Sequence, residues 1–164
     1  MIKHDIIKIL KENKIENIYY TGCFDMEDQD FIINSNYVYF KLGENFICFE
    51  AIESYSKLEI SITDSIIYRN DIEDFIDGKV EISDLILKSI LTDNKVVQEI
   101  TFYNLFEKEN SIITDVLACV LNDKDYIFLD PGFLGIKVGG LEQKEFWEKN
   151  SNNNEKINIE EICI

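Results

Sequence analysis

Carboxylates are the one abundant reactive group in this chain. Thirty-two Asp and Glu face 16 Lys and Arg among 164 residues, which gives a net charge of −16. The single histidine, His4, lies at the start of the chain, so a Ser-His-Asp or Cys-His arrangement would have to reach back to the N-terminus. The glycines at 132, 135, 139 and 140 match neither the dinucleotide-binding fingerprint nor the phosphate-binding loop. We therefore expect no catalytic residues of these kinds and no cofactor.

The four cysteines do not form a metal-binding or redox motif. Cys23, Cys48, Cys119 and Cys163 are far apart, with no C-x-x-C pair and no adjacent histidine. A zinc site or a thioredoxin-type pair requires such spacing. We expect reduced and mostly buried thiols, and no bound metal.

Two acidic segments are candidate partner-binding surfaces. The first is the polar stretch 25–30, with the carboxylates of Asp25, Glu27, Asp28 and Asp30. The second runs from Tyr68 to Asp77, with the carboxylates of Asp71, Glu73, Asp74 and Asp77. The first segment lacks the central Gly and the closing Glu of an EF-hand, so we do not expect a calcium loop there.

Acidic segments of this kind have a functional interpretation and a structural one. Opposite charge across an interface speeds encounter and rejects wrong partners, and an aromatic side chain such as Tyr68 beside the acids adds affinity. The same residues also fit a solvated loop at 25–30 and the first turn of a helix at 71–74, where the helix dipole favours negative charge. Acidic composition also aids solubility whatever the fold.

The charge balance argues against two classes of partner. Binding to nucleic acid or to an anionic membrane needs cationic side chains near the phosphates, and Arg69 is the only arginine. The N-terminal residues lack the apolar stretch of a signal peptide, and no run approaches the roughly 18 apolar residues of a membrane span. We expect a cytoplasmic protein that binds a cationic protein, and neither nucleic acid nor a membrane.

The apolar pattern predicts a single α+β domain over residues 1–150, followed by a polar, loosely held tail over 151–164. Apolar residues make up 46% of the chain, and a domain of this size can bury a real core. Helical spacing of apolar residues predicts an N-terminal helix over 2–13. The Gly139–Gly140 pair precedes a predicted C-terminal helix that continues through Trp147.

Two short central helices are also predicted. For the first, over 71–77, Asn70 is a suitable cap and Gly78 a suitable stop, with the apolar residues facing inward. For the second, over 83–92, Ser83 is the expected cap.

Alternating and β-branched residues predict the strands. Their ranges are Ile18–Cys23, Asn36–Leu42, Phe46–Glu53, 57–67, Lys95–Phe106, Ser111–Leu121, Tyr126–Asp130 and, at an edge, Phe133–Val138. Together with the helices they predict one or two twisted antiparallel sheets of about seven to eight strands.

For one predicted hairpin, the sequence indicates which side chains lie on each of its two faces. Asn36–Leu42 and Phe46–Glu53 are joined by the loop Gly43–Asn45, which places Leu42 opposite Phe46. One face then carries Val38, Phe40, Leu42, Phe46, Cys48 and Glu50, and the other carries Tyr37, Tyr39, Ile47, Phe49 and Ala51. Because both faces are apolar, the sheet must be covered on both sides or must present a binding face.

As a class, the chain resembles the immunity proteins of bacterial polymorphic-toxin and contact-dependent inhibition systems. The resemblance covers size, acidity and strand-rich layout, with stretches such as Ile127–Pro131 and Phe133–Ile136, and includes no diagnostic motif. It implies a small cytoplasmic α+β protein that binds and neutralises a cognate toxin domain, often a basic nuclease, and it assigns no residue a role. The first hypothesis is an inhibitor whose acids occupy the space that substrate phosphates take in a cationic toxin.

Two further hypotheses come from other classes of protein. A metal-dependent hydrolase could use clustered carboxylates, either those of 25–30 or those of Asp123, Asp125 and Asp130. A structural module could self-associate through the hairpin face that carries Tyr37, Tyr39, Ile47 and Phe49.

Overall fold

The described part of the chain contains two helices and twelve strands. A computed structural model describes residues 1–69, 73–83, 95–121, 125–151 and 156–164. The helices are α1 (Ile2–Glu12) and α2 (Leu141–Asn150). The strands are β1 (Asn17–Asp25), β2 (Asp30–Leu42), β3 (Asn45–Ile52), β4 (Lys57–Thr63), β5 (Phe75–Glu81), β6 (Val97–Tyr103), β7 (Phe106–Glu107), β8 (Ile112–Thr114), β9 (Leu117–Leu121), β10 (Tyr126–Gly132), β11 (Gly135–Gly139) and β12 (Ile159–Cys163).

The strands form two antiparallel sheets that share one hydrophobic core. Sheet A has the order β5-β1-β2-β3-β4-β8-β7, and sheet B has the order β11-β10-β9-β6-β12. Apolar side chains from both sheets and from α1 pack in one cluster, which includes Leu10, Phe40, Phe49, Phe102 and Leu129. The predicted α+β class with antiparallel sheets is confirmed, although the strands are more numerous than predicted.

Both terminal helices are confirmed. On α1, Ile6 and Leu10 are buried in the shared core. On α2, the Trp147 ring lies 5.1 Å from that of Tyr103 and 6.1 Å from that of Phe128, between ring centroids. Neither of these two described helices is long and apolar enough to cross a bilayer.

The β2–β3 hairpin turns within two residues instead of three. Leu42 pairs with Asn45 rather than with Phe46, and Gly43 in the turn has φ +57°. A two-residue hairpin turn requires a residue that accepts positive φ, and glycine does so without steric cost. The register of this hairpin therefore differs by one residue from the prediction.

This one-residue shift changes which side chains share a face. Ile47 and Phe49 join Val38 on the inner face, which is the core face of sheet A, and all three are fully buried. Tyr37 and Tyr39 lie on the opposite, outer face. The prediction that Tyr37, Tyr39, Ile47 and Phe49 share one face, available for self-association, is therefore wrong.

The outer face of sheet A is covered in its middle by the segment 64–69. The Tyr39 hydroxyl donates a hydrogen bond to the carbonyl oxygen of Ile67 at 3.2 Å, and Tyr39 is fully buried. The Arg69 guanidinium lies 4.7 Å from the centroid of the Tyr37 ring. The apolar outer face that the sequence predicts is thus shielded by the chain itself at this point.

The chain crosses between the two sheets at Thr114. β6 and β9 belong to sheet B, whereas β7 and β8, which lie between them in sequence, belong to sheet A. The buried Thr114 hydroxyl donates to the carbonyl oxygen of Tyr103 at 2.7 Å and accepts from the Tyr103 amide at 3.0 Å. These two bonds supplement those of the Tyr103 amide to the Val116 carbonyl and of the Tyr103 carbonyl to the Asp115 amide, where the chain changes sheet. The predicted strand Ser111–Leu121 is therefore two strands in different sheets.

The first predicted central helix is wrong. Residues 75–81 form β5 along the edge of sheet A, with Ile76 opposite Phe24 and Gly78 opposite Gly22. Pairing with β1 satisfies this backbone, and it outweighs the weak helix preference of a short segment that contains Asp and Gly. Residues 70–72 and all but the first residue of the helix predicted over 83–92 lie outside the described residues.

The C-terminal residues include a paired strand. β12 runs antiparallel to β6, with Ile162 opposite Ile100, and Ile162 and Ile164 pack against the core. For residues 159–163 the predicted loosely held tail is corrected to an edge strand, because its apolar side chains find a buried surface.

Replacing Thr114 with valine should lower the free energy of unfolding by about 2 kcal/mol, because the amide and the carbonyl of Tyr103 each lose one of their two hydrogen bonds. Urea unfolding followed by tryptophan fluorescence measures the change. Thr114→Ser keeps the hydroxyl and is the matched control, with an expected loss of about 1 kcal/mol from the missing methyl group. Equal losses in the two variants would contradict the role assigned to the hydroxyl.

Candidate functional site

Three strands of sheet A continue beyond the end of β3. β2 pairs with β3 only from Tyr37 onward, whereas its pairing with β1 reaches Asp30. The β1–β2 register shifts between Tyr20 and Thr21, and the pairing beyond this shift forms a three-stranded projection. We call it the extension; it comprises residues 21–25, 30–34 and 75–79.

The two faces of the extension differ in chemistry. Side chains alternate along each strand, so the observed pairings assign every residue to a face. The inner face continues the core face of sheet A and carries Gly22, Phe24, Phe31, Ile33, Ile76 and Gly78. The outer face carries Thr21, Cys23, Asp25, Asp30, Ile32, Asn34, Phe75, Asp77 and Lys79. The inner face thus carries only glycine and apolar side chains, whereas the charged side chains lie on the outer face together with Cys23, Ile32 and Phe75.

A pair of glycines lets the Phe31 ring lie against the backbone of the inner face. Gly22 and Gly78 are opposite each other on β1 and β5. A Cβ atom at Gly78 would lie 2.8 Å from the Phe31 ring, and one at Gly22 would lie 2.9 Å from the same ring and would clash with the Ile32 carbonyl oxygen. Only glycine at both positions leaves room for the ring, which covers the backbone that these glycines expose.

The turn between β1 and β2 places acids at the end of the extension. One Asp25 carboxylate oxygen accepts hydrogen bonds from the amides of Glu27 at 2.8 Å and Asp28 at 3.2 Å, and Gln29 has φ 56°. Asp side chains commonly close turns in this way. Asp25 therefore holds the turn, while the side chains of Glu27 and Asp28 are exposed to solvent.

The structure brings the two acidic segments together at this end of the molecule. Asp25 is opposite both Asp30 and Phe75. A shallow groove of about 600 Å³ is lined by Asp25, Met26, Glu27, Asp74 and Phe75. Sequence order alone does not give this proximity, which depends on β5 pairing with β1. We call the combined set the acidic tip; its described members are Asp25, Glu27, Asp28, Asp30, Glu73, Asp74 and Asp77.

Three acids of the tip, Glu27, Asp28 and Asp74, form no salt bridge with another described residue. Within the described residues, salt bridges are found at Lys3, Lys57, Arg69, Lys108, Lys144 and the N-terminal amine. None of these involves Glu27, Asp28 or Asp74 of the tip. Like charges held together in this way repel each other, so a cation brought by a partner would be attracted.

Two of the predicted site residues are not placed in the acidic tip. Tyr68 lies near Tyr19, where burial and then the charges of Glu81, Glu16 and Tyr68 raise the pKa of the Tyr19 phenol. Tyr19 is six residues before Asp25 on β1, about 20 Å along the strand. The structure therefore separates Tyr68 from the tip that it was predicted to anchor. Asp71 lies outside the described residues.

The carboxylates do not form a metal site in the described part of the chain. No group of three or more His, Cys, Asp or Glu side chains there is arranged to hold an ion. Asp130 accepts a hydrogen bond from the Gln143 amide at 2.8 Å, and burial raises the pKa of its carboxyl group. Of the other acids named for the hydrolase hypothesis, Asp123 lies outside the described residues.

Exposed apolar side chains at the extension are the feature that the sequence reasoning missed. Met26 is 57% exposed, Ile76 56%, Ile32 50% and Ile33 49%. The signal was present in the run Phe31–Ile33, which follows the acidic turn directly and continues β2. Of these, Ile33 and Ile76 share the inner face, and an exposed apolar surface beside charged groups is typical of a protein-binding site.

The cysteines have no role in this site. Cys23, Cys48 and Cys119 are buried, and Cys163 is exposed. Burial raises the pKa of Cys48 to about 11 and that of Cys119 to about 12. These thiols carry very little of the reactive thiolate at neutral pH.

Comparisons of the chain with models of protein families, with curated proteins and with solved structures found no match.

Replacing Gly22 with alanine should destabilise the protein by about 2 kcal/mol or more, because the added methyl group meets the Ile32 carbonyl and the Phe31 ring. Gly132→Ala is the matched control: a Cβ atom there has no neighbour closer than 3.9 Å, and a change within about 0.5 kcal/mol is expected. Denaturant unfolding compares them. Equal stability of the two variants would contradict the packing described for Phe31.

In the native protein one thiol per chain should react quickly with an aromatic disulfide reagent, because only Cys163 is exposed. All four should react in denaturant. The absorbance of the aromatic thiolate that the reagent releases gives the number of reactive cysteines in each condition. Removal of the fast phase by Cys163→Ser identifies its source, and two or more fast thiols in the native protein would show that the sheets do not protect Cys23 or Cys48.

Proposed function

We propose that this protein binds a cationic protein partner through the acidic tip and inhibits it, as an immunity protein inhibits a basic toxin domain. The observation that carries the proposal is the convergence of two acidic segments, distant in sequence, around one groove lined by Asp25, Glu27 and Asp74. Folding places like charges side by side there without a cation at Glu27, Asp28 or Asp74 in the described residues. A partner that supplies cations would relieve this repulsion.

The arrangement suits inhibition of an enzyme that acts on phosphates. Carboxylates that project from a turn can enter the cationic cleft in which such an enzyme holds its substrate. The exposed Met26 side chain lies between the acids and provides an apolar contact. Binding by the tip leaves the shared core and both terminal helices uninvolved, so the partner can be bound without unfolding either sheet. Under this proposal the protein acts in the cytoplasm.

Affinity capture with the tagged protein in its native host tests the proposal. We expect one basic protein in stoichiometric amount after washing at low salt, and its release at high salt. Expression of that partner alone should harm the cells, and co-expression should restore growth. Capture of no stoichiometric basic protein, or co-expression without rescue, would overturn the proposed function.

Reversal of four tip acids to lysine, at Glu27, Asp28, Glu73 and Asp74, should slow association with the captured partner by about tenfold at low salt and flatten its salt dependence. Stopped-flow fluorescence at several ionic strengths measures the rate constant. The matched control reverses four exposed acids elsewhere and changes the net charge equally; these are Glu12, Glu44, Glu109 and Glu145. If the two variants associate equally fast, overall charge and not the acidic tip directs binding.

A further inference from the structure

Among the described residues, the turn between β10 and β11 carries the two most exposed large apolar side chains after Met1. Gly132 and Gly135 pair across a two-residue turn made of Phe133 and Leu134, which are 88% and 76% exposed. Hairpin turns favour Gly, Asn and Asp for conformational reasons, so neither the turn nor the core explains this choice of residues.

The same turn is fixed to the base of the extension. The Ser35 hydroxyl donates a hydrogen bond to the Leu134 carbonyl oxygen at 2.7 Å. Gly135 has φ +97°, and a Cβ atom there would collide with the Ser35 side chain. Close approach to Ser35 therefore requires this glycine, and the backbone of the turn is held while its apolar side chains remain in water.

The turn stands on the side of sheet A to which the inner face points. The Tyr20 hydroxyl, on the inner face, donates to the carbonyl oxygen of Ile136 on β11 at 2.5 Å. Sheet B thus covers the inner face up to Tyr20, and Ser35 is only two residues from the half-exposed Ile33. The hydrogen bond from Ser35 to Leu134 holds the turn beside the start of the part of the inner face beyond Tyr20. We call the turn and this part of the inner face the apolar corner; its residues are Phe31, Ile33, Ile76, Phe133 and Leu134.

We infer that the apolar corner binds an amphipathic, cationic helix of the partner protein. Three strands span about 10 Å, which matches the diameter of one helix. Five residues of strand are about 16 Å long, or three helical turns. Four acids of the tip, Glu27, Asp28, Glu73 and Asp74, lie at the strand ends of the extension. Apolar side chains of a bound helix would therefore fill the corner while its Lys or Arg side chains reach these four acids. This inference rests on the proposed function and names the partner element that it requires.

Charge argues against a second copy of this chain as the occupant. Each copy carries a net charge of −16, and the acidic tip adjoins the corner, so pairing two corners would bring like charges together. A cationic helix instead gains from both features, because apolar burial supplies affinity and the tip supplies orientation.

Two synthetic peptides test the inference: a Leu/Lys peptide whose leucines share one helical face, and a Ser/Lys peptide of the same length and charge. The uniformly ¹⁵N-labelled full chain is titrated with each, and amide shifts give the site and the affinity. We expect the Leu/Lys peptide to bind at least about tenfold more tightly, with shifts centred on Ile33, Ile76, Phe133 and Leu134.

Two variants and one control separate the outcomes. Ile33→Ser with Ile76→Ser, and separately Phe133→Ser with Leu134→Ser, should remove the advantage of the Leu/Lys peptide. Leu141→Ser with Ile159→Ser, at exposed positions elsewhere, should keep it. Circular dichroism and unfolding verify that each variant is folded.

The inference is overturned if both corner variants bind the Leu/Lys peptide as the unaltered protein does, or if light scattering shows a dimer that the corner variants abolish. Failure of the proposed function has a different signature. In that case neither peptide causes salt-dependent shifts at Glu27, Asp28 and Asp74, and reversing those acids changes nothing. Tip binding by both peptides without preference for leucine overturns the inference alone.

Discussion

The apolar faces of the two sheets exclude water only where both sheets are present, and this contact determines where the core ends. Tyr20 and Ile136 mark the limit, because their hydrogen bond joins β1 to β11, an edge strand of sheet B. Where the two sheets face each other, one hydrophobic cluster includes Phe40, Phe49, Phe102 and Leu129. In the extension, no second sheet of the described residues covers β1, β2 and β5, although their inner face keeps the same apolar pattern. The free surface of the extension is therefore a direct continuation of the core.

Two kinds of interaction meet at the extension, and they differ in range. Charge at the acidic tip acts over about 10 Å at ordinary ionic strength and weakens with salt. The apolar corner acts only on contact, and its attraction is not screened by salt. The sheet keeps them apart, since Ile33 and Ile76 face one way while Asp30 and Asp77 face the other. A surface built in this way can attract a partner by one interaction and retain it by the other.

Local patterns sufficed to predict the class of fold, both terminal helices and most strands, because apolar periodicity and turn residues are local signals. They failed where a distant contact decided the outcome. The sequence offers Asn70 and Gly78 as the two ends of a helix, yet the residues from Phe75 form a strand because the edge of β1 is available to them. The break at Thr114 follows from the change of sheet. At the candidate site, the acids themselves were identified from sequence. Their convergence depends on the same β1–β5 pairing, and Tyr68 was misplaced because a sequence contains no distances.

Both outer strands of the extension leave one side of their backbone without a strand partner in the described residues. Such borders are templates for fibril growth, because a second chain can add to them one hydrogen bond at a time. Here each border carries charged side chains, with Asp30 on β2 and Asp77 and Lys79 on β5. An identical strand that added to the border would place its carboxylates beside those of the first chain, and the like charges would repel. The acids that we assign to recognition of a partner would thus also limit self-polymerisation, so a variant made less acidic to alter binding would also become more prone to form amyloid.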